Sequence, residues 1–215
     1  MPGRLTNERA RRYFDKHAAD YDRTIGWFER RVLGQNRTWA TGQAAGRVLE
    51  LAVGTGLNLP LYPLPVRHIV GVELSEQMLA IARTRVESSG LTDRVELQRG
   101  DVQDLDVADE SFDTVLSTYT LCTIPDPRLA LSEAWRALTP GGRLVLVEHG
   151  AAVNRLVRAG QRVLNPLSVR LSADDMLREF VPMVDEAGFD IVESERVGFA
   201  GTVTRIVATK PDAAA

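Results

Sequence analysis

The feature that most constrains the fold is a glycine turn at the end of a short apolar run, residues 48–56 (Val-Leu-Glu-Leu-Ala-Val-Gly-Thr-Gly). A second apolar run, residues 70–73 (Val-Gly-Val-Glu), follows and ends in a carboxylate. Such a turn needs glycine because a residue without Cβ lets the backbone bend tightly and approach a ligand closely. The pattern is typical of the first βα turn and second strand of a parallel sheet. The two carboxylate oxygens of Glu73 suit the diol of a ribose.

Two kinds of nucleoside site place glycines in this turn. A dinucleotide site has the pattern G-x-G-x-x-G, in which the third glycine lets the helix pack on the strand and the pyrophosphate lies at the helix N-terminus. Counted from Gly54 and Gly56, that third position is Leu59, which does not fit. Written from Glu50 as E-x-x-x-G-x-G, the turn resembles motif I of class I S-adenosylmethionine-dependent methyltransferases. Ala52 stands where that family usually has its first glycine.

Three further segments resemble the same family in the expected order. Residues 100–105 begin with Gly-Asp and follow a predicted third strand, 94–99. Residues 109–115 (Asp-Glu-Ser-Phe-Asp-Thr-Val) resemble the family's entry into strand four, and residues 138–144 (Leu-Thr-Pro-Gly-Gly-Arg-Leu) its turn into strand five. Four ordered motifs are far more specific than one glycine turn. The resemblance implies an enzyme that transfers a methyl group from S-adenosylmethionine, with Asp101 accepting a hydrogen bond from the adenine amino group.

Composition limits the class of protein. The 215 residues, 44% hydrophobic and 26% charged, predict an α/β domain at 43–211 preceded by a helical lid at 1–42. There is no apolar run of about 18 residues and no signal-peptide core after the N-terminal arginines. The lone Cys122 excludes an internal disulfide and a cysteine zinc cage. These features predict a cytoplasmic protein without a metal site, and the net charge of −3 argues against nucleic-acid binding.

Alternating short apolar runs and helical patterns predict a Rossmann-like α/β fold, with a seven-stranded, mostly parallel sheet and an antiparallel C-terminal strand. The predicted strands are at about 47–52, 67–73, 94–99, 113–118, 143–149, 190–197 and 203–209. Residues 5–40 are predicted to be helical. Ser75 and Asp126 are predicted helix N-caps, and Pro127 suits the first position of the second helix because its missing N–H loses no helical bond.

The region after the fifth predicted strand carries several helix-breaking signals. Residues 150–171 are predicted to form a helix and an irregular connection, with a break at 165–166 (Asn-Pro). Ser172 is predicted to begin another helix. Pro182 should kink or split that helix, and Gly188 should end it.

The candidate site lies at the carboxyl ends of the strands, where ligands of such sheets bind. Methyl transfer is an in-line displacement at a carbon activated by a sulfonium, so the enzyme mainly positions the acceptor and removes a proton only where the acceptor must lose one. His149, at the end of the fifth strand, is predicted to act as a base or an orienting donor, with a purely structural histidine as the alternative. The residues predicted to bind the cofactor are Tyr13, Tyr21, Glu50, Ala52, Gly54, Gly56, Asn58, Glu73, Leu74, Met78, Asp101, Val102 and Ser117.

Residues 14–22 (Phe-Asp-Lys-His-Ala-Ala-Asp-Tyr-Asp) resemble the lid motif F-D-x-x-A-x-x-Y-D of ubiquinone/menaquinone-type methyltransferases. The resemblance implies that Tyr21 closes over the cofactor, donates its hydroxyl to the cofactor carboxylate and belongs to the catalytic site. Tyr13 could reach the same space. The alternative is that both rings are core of an amphipathic helix.

The acceptor is predicted to be a small molecule or a lipid, accepting at N, S or O. Residues 54–63 resemble a stretch of bacterial phosphatidylethanolamine N-methyltransferases, whereas residues 121–127 and 147–149 resemble animal membrane-associated thiol methyltransferases. A second hypothesis is a regulatory module that binds S-adenosylmethionine or NAD without transferring a methyl group.

The N-terminal region could also meet a membrane. Residues 1–37 hold nine Lys or Arg and five Asp or Glu, which indicates a solvated helical face or an arm for an anionic surface. Within residues 21–33, Trp27 and Phe28 could enter a membrane interface beside Arg30 and Arg31. The sequence does not predict the oligomeric state.

Overall fold

The computed structural model describes residues 5–212, which form helices on both faces of one sheet. The strands are β1 (Gly46–Leu51), β2 (Val66–Glu73), β3 (Val95–Arg99), β4 (Phe112–Thr118), β5 (Leu138–His149), β6 (Asp190–Val197) and β7 (Val203–Thr209). The helices are α1 (Asn7–Phe28), α2 (Arg37–Gly42), α3 (Glu76–Ser88), α4 (Pro127–Ala137), α5 (Arg155–Ser172) and α6 (Phe180–Glu186). A π-helical turn, Glu29–Leu33, continues α1. Within the described residues, no helix is long and apolar enough to cross a membrane.

The sheet has the strand order β3-β2-β1-β4-β5-β7-β6. The pairings of β1 with β2 and β4, of β2 with β3 and of β4 with β5 are parallel. Only β7 runs against its neighbours, β5 and β6. This confirms the predicted fold class. The chain reverses its direction of winding between β1 and β4, so a crevice for a ligand forms at their carboxyl ends.

The hydrophobic core lies on both faces of the sheet, as a parallel sheet covered by helices requires. Leu49 and Leu51 of β1 face one side, in the same buried cluster as Leu131 of α4 and Phe180 of α6. The alternating residue, Val48, faces the other side with residues of α2 and α3. The short apolar strands predicted from sequence are therefore buried on both faces and hold the ends of β1 to β4 rigidly.

Both predicted helix caps are confirmed. The Ser75 side chain accepts a hydrogen bond from the backbone N–H of Met78, and Asp126 accepts one from Arg128 with Pro127 at the first helical position. The strands start or end within one residue of the predicted positions, except that β5 begins at Leu138 rather than near residue 143.

The predicted break at 165–166 is wrong, because α5 continues through Pro166 as one helix. Proline removes one helical hydrogen bond, but other contacts hold the helix together. At its start the Asn154 side chain accepts hydrogen bonds from the N–H groups of Leu156 and Val157. The Asn165 side chain hydrogen-bonds to the segment that follows α5. Its amide donates to Asp175 at 2.9 Å, so it does not compete with the hydrogen bonds of the helix backbone.

The prediction that Ser172 begins a helix is also wrong. Ser172 is the last residue of α5, and Ala173 ends that helix in the left-handed region at φ +58°. The next helix begins at Phe180, so Pro182 lies in its first turn, where a missing N–H breaks no helical bond. Proline therefore does not kink α6. Gly188, at φ +92°, follows the last turn of α6 as predicted.

Candidate active site

A cleft opens at the carboxyl ends of β1 to β4 and is covered on one side by α1. Several residues predicted to bind a cofactor line it: Tyr21, Ala52, Gly54, Glu73, Leu74, Met78, Asp101 and Val102. The remaining lining residues were not among the predicted cofactor-binding residues: Asn7, Ala10, Arg11, Phe14, Gly100, Thr118, Tyr119, Thr120, Thr123, Ile124 and Pro125. The cleft therefore has the predicted glycine turn and strand ends as its floor, and α1 with the segment after β4 as its walls.

Glu73 ties the glycine turn to the start of α3. Its carboxylate accepts hydrogen bonds from the backbone N–H of Gly54 at 3.0 Å and of Ser75 at 2.7 Å. The side chain is buried, and burial raises the pKa of Glu73 even though these backbone N–H groups lower it. Each carboxylate oxygen accepts one of these bonds and can accept another, and Glu73 lines the cleft, so the side chain can serve a pair of hydroxyl donors.

The backbone geometry of the glycine turn explains the residues found at positions 56 and 52. Gly56 has φ +80°, and a Cβ there would lie 2.8 Å from a methyl group of Leu59. The residue at the third position of the dinucleotide pattern thus fills the space beneath the turn. Ala52 has φ +49°, in the left-handed region that favours glycine. This accounts for the family's usual glycine at that position, and alanine retains the conformation at a cost of about 1 kcal/mol.

Asp101 is held at the end of β3 by Gln103 and by Asn7. Its Oδ1 accepts from the backbone N–H of Gln103 at 3.0 Å, and its Oδ2 accepts from the amide of Asn7 at the start of α1. The Gln103 amide also donates to the Asn7 side chain at 2.8 Å. The N-terminal end of α1 is therefore fastened to the position predicted for adenine.

Two aspartates of the predicted lid motif fasten the rest of α1 across the cleft. Asp15 accepts a hydrogen bond from the Ser75 hydroxyl at 2.7 Å. Asp22, two helical turns further on, accepts from the Thr55 hydroxyl at 2.6 Å and pairs with Arg85 of α3 at 2.5 Å. The sequence motif contains both aspartates, but their docking role was not recognised from it, because nothing in a single sequence shows which polar group faces which partner.

The two tyrosines of α1 lie in different places. Tyr21 lines the cleft, and burial raises its pKa to about 12, so it is a neutral hydroxyl donor. Tyr13 is outside the lining of the cleft. Its ring centroid lies 4.3 Å from that of His17, and burial followed by the charge of Asp174 raises the pKa of Tyr13. Tyr13 therefore faces the region of Asp174, beside the cleft.

Four of the predicted cofactor residues lie near the turn without lining the cleft. Gly56 forms the base of the turn, and Asn58 donates to Glu50 at 2.8 Å and to Thr118 at 3.0 Å. Ser117 donates to Glu148 at 2.8 Å beneath the end of β4. All of these side chains are buried. In this arrangement Glu50, Asn58 and Ser117 support the floor of the cleft from below.

Glu50 should make the stability of the fold depend on pH. It is fully enclosed with the Tyr62 hydroxyl at 2.8 Å, and burial raises its pKa from 4.5 to about 7, although the hydrogen bonds from Tyr62 and Asn58 lower it. The folded protein thus binds this proton more tightly than the unfolded chain. The contribution of this bound proton to the free energy of unfolding is present below about pH 4.5 and is lost as the pH rises through about 7.

We expect Glu50→Gln to remove that pH dependence. Between pH 5 and pH 8, the difference in unfolding free energy between variant and wild type should shift by about 3 kcal/mol in favour of the variant. Urea unfolding at the two pH values measures this shift. Glu76→Gln on α3 is the matched control, since its side chain is 45% exposed and should show no such shift. Parallel pH profiles for wild type and Glu50→Gln would contradict the assignment.

Arg37 is a buried cation that sequence analysis missed. Its guanidinium pairs with Glu29 at 2.6 Å, donates to Asn58 and Thr118, and lies 5.4 Å from the centre of the Tyr119 ring. Tyr119 itself has φ +57°, which places its ring on the wall of the cleft. Arg37 thus joins the π-helical turn after α1, the glycine turn and the end of β4. No local motif marks it, since its partners are distant in sequence.

His149 lies at the end of β5, beyond the lining of the cleft. Its Nδ1 is 3.6 Å from Asp174 Oδ2, and the two side chains are 19% and 24% exposed. Asp174 Oδ1 is buried and has no hydrogen-bond partner among residues 5–212. Cys122 lies close to the same carboxylate, and burial raises its pKa well above 9.0, which keeps it a neutral thiol. The result is a histidine–aspartate pair beside the cleft with an acceptor oxygen still to be satisfied.

The residues of the cleft fit S-adenosylmethionine. Carboxylates stand at the ends of β2 and β3, where a ribose and an adenine need acceptors, and Tyr21 supplies a hydroxyl. A Cβ added at Gly54 would meet only the Ala52 carbonyl within 4 Å, at 3.9 Å, so that side of the turn is open to a ligand. No phosphate is needed to explain the turn, because its third glycine position is occupied by buried Leu59.

Comparison with known proteins agrees with this geometry. Residues 49–146 match a family model described as a methyltransferase domain. A phosphatidylethanolamine N-methyltransferase of Cereibacter sphaeroides is 45% identical over 106 residues, 49% of this chain and 52% of that protein. A demethylmenaquinone methyltransferase of Clavibacter sepedonicus is 36% identical over 154 residues, 68% of this chain and 60% of that protein. The chain thus spans only 52% and 60% of the length of these two relatives.

A solved structure extends the comparison to almost the whole chain. A methyltransferase from Thermotoga maritima, described as dependent on S-adenosylmethionine, is 26% identical, with a TM-score of 0.69 over 93% of this chain and 99% of that one. The family match assigns residues 49–146 to a methyltransferase domain family, and the relatives, the solved structure and the sheet topology are those of class I S-adenosylmethionine-dependent methyltransferases.

Proposed function

We propose that this chain transfers a methyl group from S-adenosylmethionine to a membrane lipid, at an acceptor atom that loses a proton. When bound, the cofactor supplies an electrophilic methyl carbon on a sulfonium. The protein must then hold cofactor and acceptor in line and accept the proton. The observation that carries the proposal is the His149–Asp174 pair, a proton acceptor beside the cofactor cleft at the carboxyl end of β5.

In this proposal His149 is the general base and Asp174 its positioning residue. The carboxylate 3.6 Å from Nδ1 favours a proton on that nitrogen, which leaves Nε2 free to accept one from the acceptor. The negative charge of the Asp174 carboxylate stabilises the imidazolium that forms when His149 accepts the proton. In such a pair the aspartate aligns the histidine ring and stabilises the positive charge that the ring acquires.

The cofactor roles follow from the lining of the cleft. Glu73 accepts from the ribose hydroxyls, Asp101 from the adenine amino group, and Tyr21 donates to the cofactor carboxylate. The segment 1–42 acts as a lid, since α1 covers the cleft and is held by polar contacts that can open and re-form. Residues 1–4 of that predicted lid lie outside the described residues.

A lipid acceptor is supported by two observations. The relatives from Cereibacter and Clavibacter are named for a phospholipid and a menaquinone precursor. The lining of the cleft also includes Phe14, Ile124 and Pro125, which can receive an apolar group but offer it no charge. The membrane contact proposed for residues 21–33 is consistent with the exposure of Trp27, 51%, and Phe28, 44%.

The test is S-adenosylhomocysteine production by the purified chain with one acceptor at a time. Phosphatidylethanolamine vesicles and a detergent-dispersed demethylated quinol distinguish an amine from a carbon acceptor, and either product supports a lipid substrate. Product only with a soluble thiol, phenol or amine would replace the lipid by a small molecule. Absence of product with every acceptor, in protein whose melting temperature rises with S-adenosylhomocysteine, would favour the non-catalytic binding module. Stabilisation by NAD alone would contradict the cofactor assignment.

A further inference from the structure

Helix α5 packs against the protein with its polar side and turns its apolar side to solvent. Gln161 is 8% exposed, donates to the Gly150 carbonyl at 3.0 Å and accepts from the Ala152 N–H at 2.8 Å. Asn165, Ser168 and Ser172 follow on the same inward face and are half-buried. A helix that belongs only to a globular core has the reverse arrangement, with its apolar stripe inward.

The outward face of α5 carries large apolar side chains at helical spacing, here called the α5 stripe. All of its members are more than half exposed: Leu156 85%, Val163 79%, Leu164 57%, Leu167 53% and Leu171 64%. The positions follow the repeat i, i+7, i+8, i+11 and i+15, which places them along one side of the helix. A contiguous exposed apolar stripe of this kind marks an interaction surface rather than scattered surface residues.

The charged residues near the α5 stripe indicate which kind of partner binds it. Residues 153–173 contain four arginines and no Asp or Glu, in a chain whose formal net charge is −3. Arg158 pairs with Glu179 at 3.0 Å, whereas Arg155, Arg162 and Arg170 form no salt bridge within residues 5–212. Arg155, Arg158 and Arg162 line one shallow depression beside the stripe. An apolar stripe on a segment whose only charged residues are arginines fits the boundary between acyl chains and anionic headgroups.

We propose that α5 docks this protein on an anionic lipid surface, with the α5 stripe entering the acyl boundary and the flanking arginines contacting lipid phosphates. This surface is separate from the segment 21–33 considered above. It goes beyond the proposed reaction, because docking requires neither the cofactor nor an acceptor.

Helix α5 lies next to the candidate active site, so a surface docked on it would also lie next to that site. His149 precedes the segment that contains α5, Asp174 follows it, and the two meet at 3.6 Å. At its other end, Val169 packs with Leu5 and Ala10 of the N-terminal region, and the Arg9 side chain donates to the Arg170 carbonyl. A surface bound to α5 therefore lies next to both the candidate base and the helix that covers the cofactor cleft.

The test is flotation of the full chain with phosphatidylcholine vesicles, with and without phosphatidylglycerol. We expect the wild type to float with the anionic vesicles and binding to weaken as salt is raised. Leu156→Glu/Leu167→Glu should lower the partition coefficient by about a hundredfold or more, since burying a leucine side chain contributes about 1.5–3 kcal/mol. Leu64→Glu is the matched control, since Leu64 is 94% exposed in the loop before β2, and it should bind as the wild type does.

Three outcomes would overturn the proposal. They are failure of the wild type to float, normal flotation of the double variant, and a loss of binding in Leu64→Glu as large as that in the double variant. Loss of a wild-type dimer in the double variant, without vesicle binding, would make the stripe a contact between copies. Melting temperature and calorimetric affinity for S-adenosylhomocysteine verify that the variants are folded. Flotation needs no methyl transfer, and activity on detergent-dispersed acceptors needs no vesicle. Failure of the docking proposal can therefore be distinguished from failure of the proposed methyl transfer.

Discussion

His149→Ala is expected to lower turnover by about 10²–10⁴-fold while leaving the affinity for S-adenosylhomocysteine nearly unchanged. The imidazole lies beside Asp174 and outside the lining of the cofactor cleft, so its loss removes a proton acceptor without removing a cofactor contact. Single-turnover kinetics with an acceptor that gives product in the assay above, together with titration calorimetry, measures the two quantities separately. The deficit should shrink at alkaline pH, where more of the acceptor has already lost its proton.

His68→Ala is the matched control for that experiment. His68 lies near the start of β2, at the opposite end of the strand from Glu73, and its replacement should leave turnover unchanged. Equal losses of turnover and of cofactor affinity in His149→Ala would mean that His149 supports the fold or the cofactor. A loss of turnover smaller than about tenfold would remove it from the role of base.

Glu73→Ala is expected to weaken the binding of S-adenosylhomocysteine by about 1–3 kcal/mol, which corresponds to roughly 5–150-fold in the dissociation constant. Two effects act together. The ribose loses its acceptor, and the N–H groups of Gly54 and Ser75 lose the carboxylate that holds the glycine turn against α3. Titration calorimetry on the folded variant measures the loss directly.

Glu76→Ala is the control for Glu73→Ala, because it removes a carboxylate from the first turn of α3 without touching the cleft. Its partner is Arg83 at 2.6 Å, on the exposed side of the helix. Glu73→Gln adds a sharper test, since the amide keeps the shape of the side chain but turns an N–H₂ group toward a backbone donor. Undiminished affinity in Glu73→Ala would exclude Glu73 from the cofactor site.

Features encoded within one strand and its turn were predictable. The glycine turn, the strand-end carboxylates Glu73 and Asp101, and the caps at Ser75 and Asp126 all depend on residues a few positions apart. Local spacing therefore sufficed to predict the fold class and to place those carboxylates in one cleft. The continuity of α5 through 165–166 was not predictable in this way, because Asn165 is engaged by residues of the following segment.

The sequence by itself determined the order of strands and helices and the two-faced burial of the sheet, because these follow from local periodicity. It also indicated the class of cofactor, through the resemblance of its motifs to those of a known family. Only the tertiary structure decided which distant groups meet: Asp22 with Thr55, Arg37 with Glu29 and Thr118, and His149 with Asp174. It also decided the orientation of α5. The helical pattern shows that α5 has a polar and an apolar side, but Gln161 must satisfy buried backbone groups at Gly150 and Ala152. That requirement turns the polar side inward and leaves the apolar side for a partner.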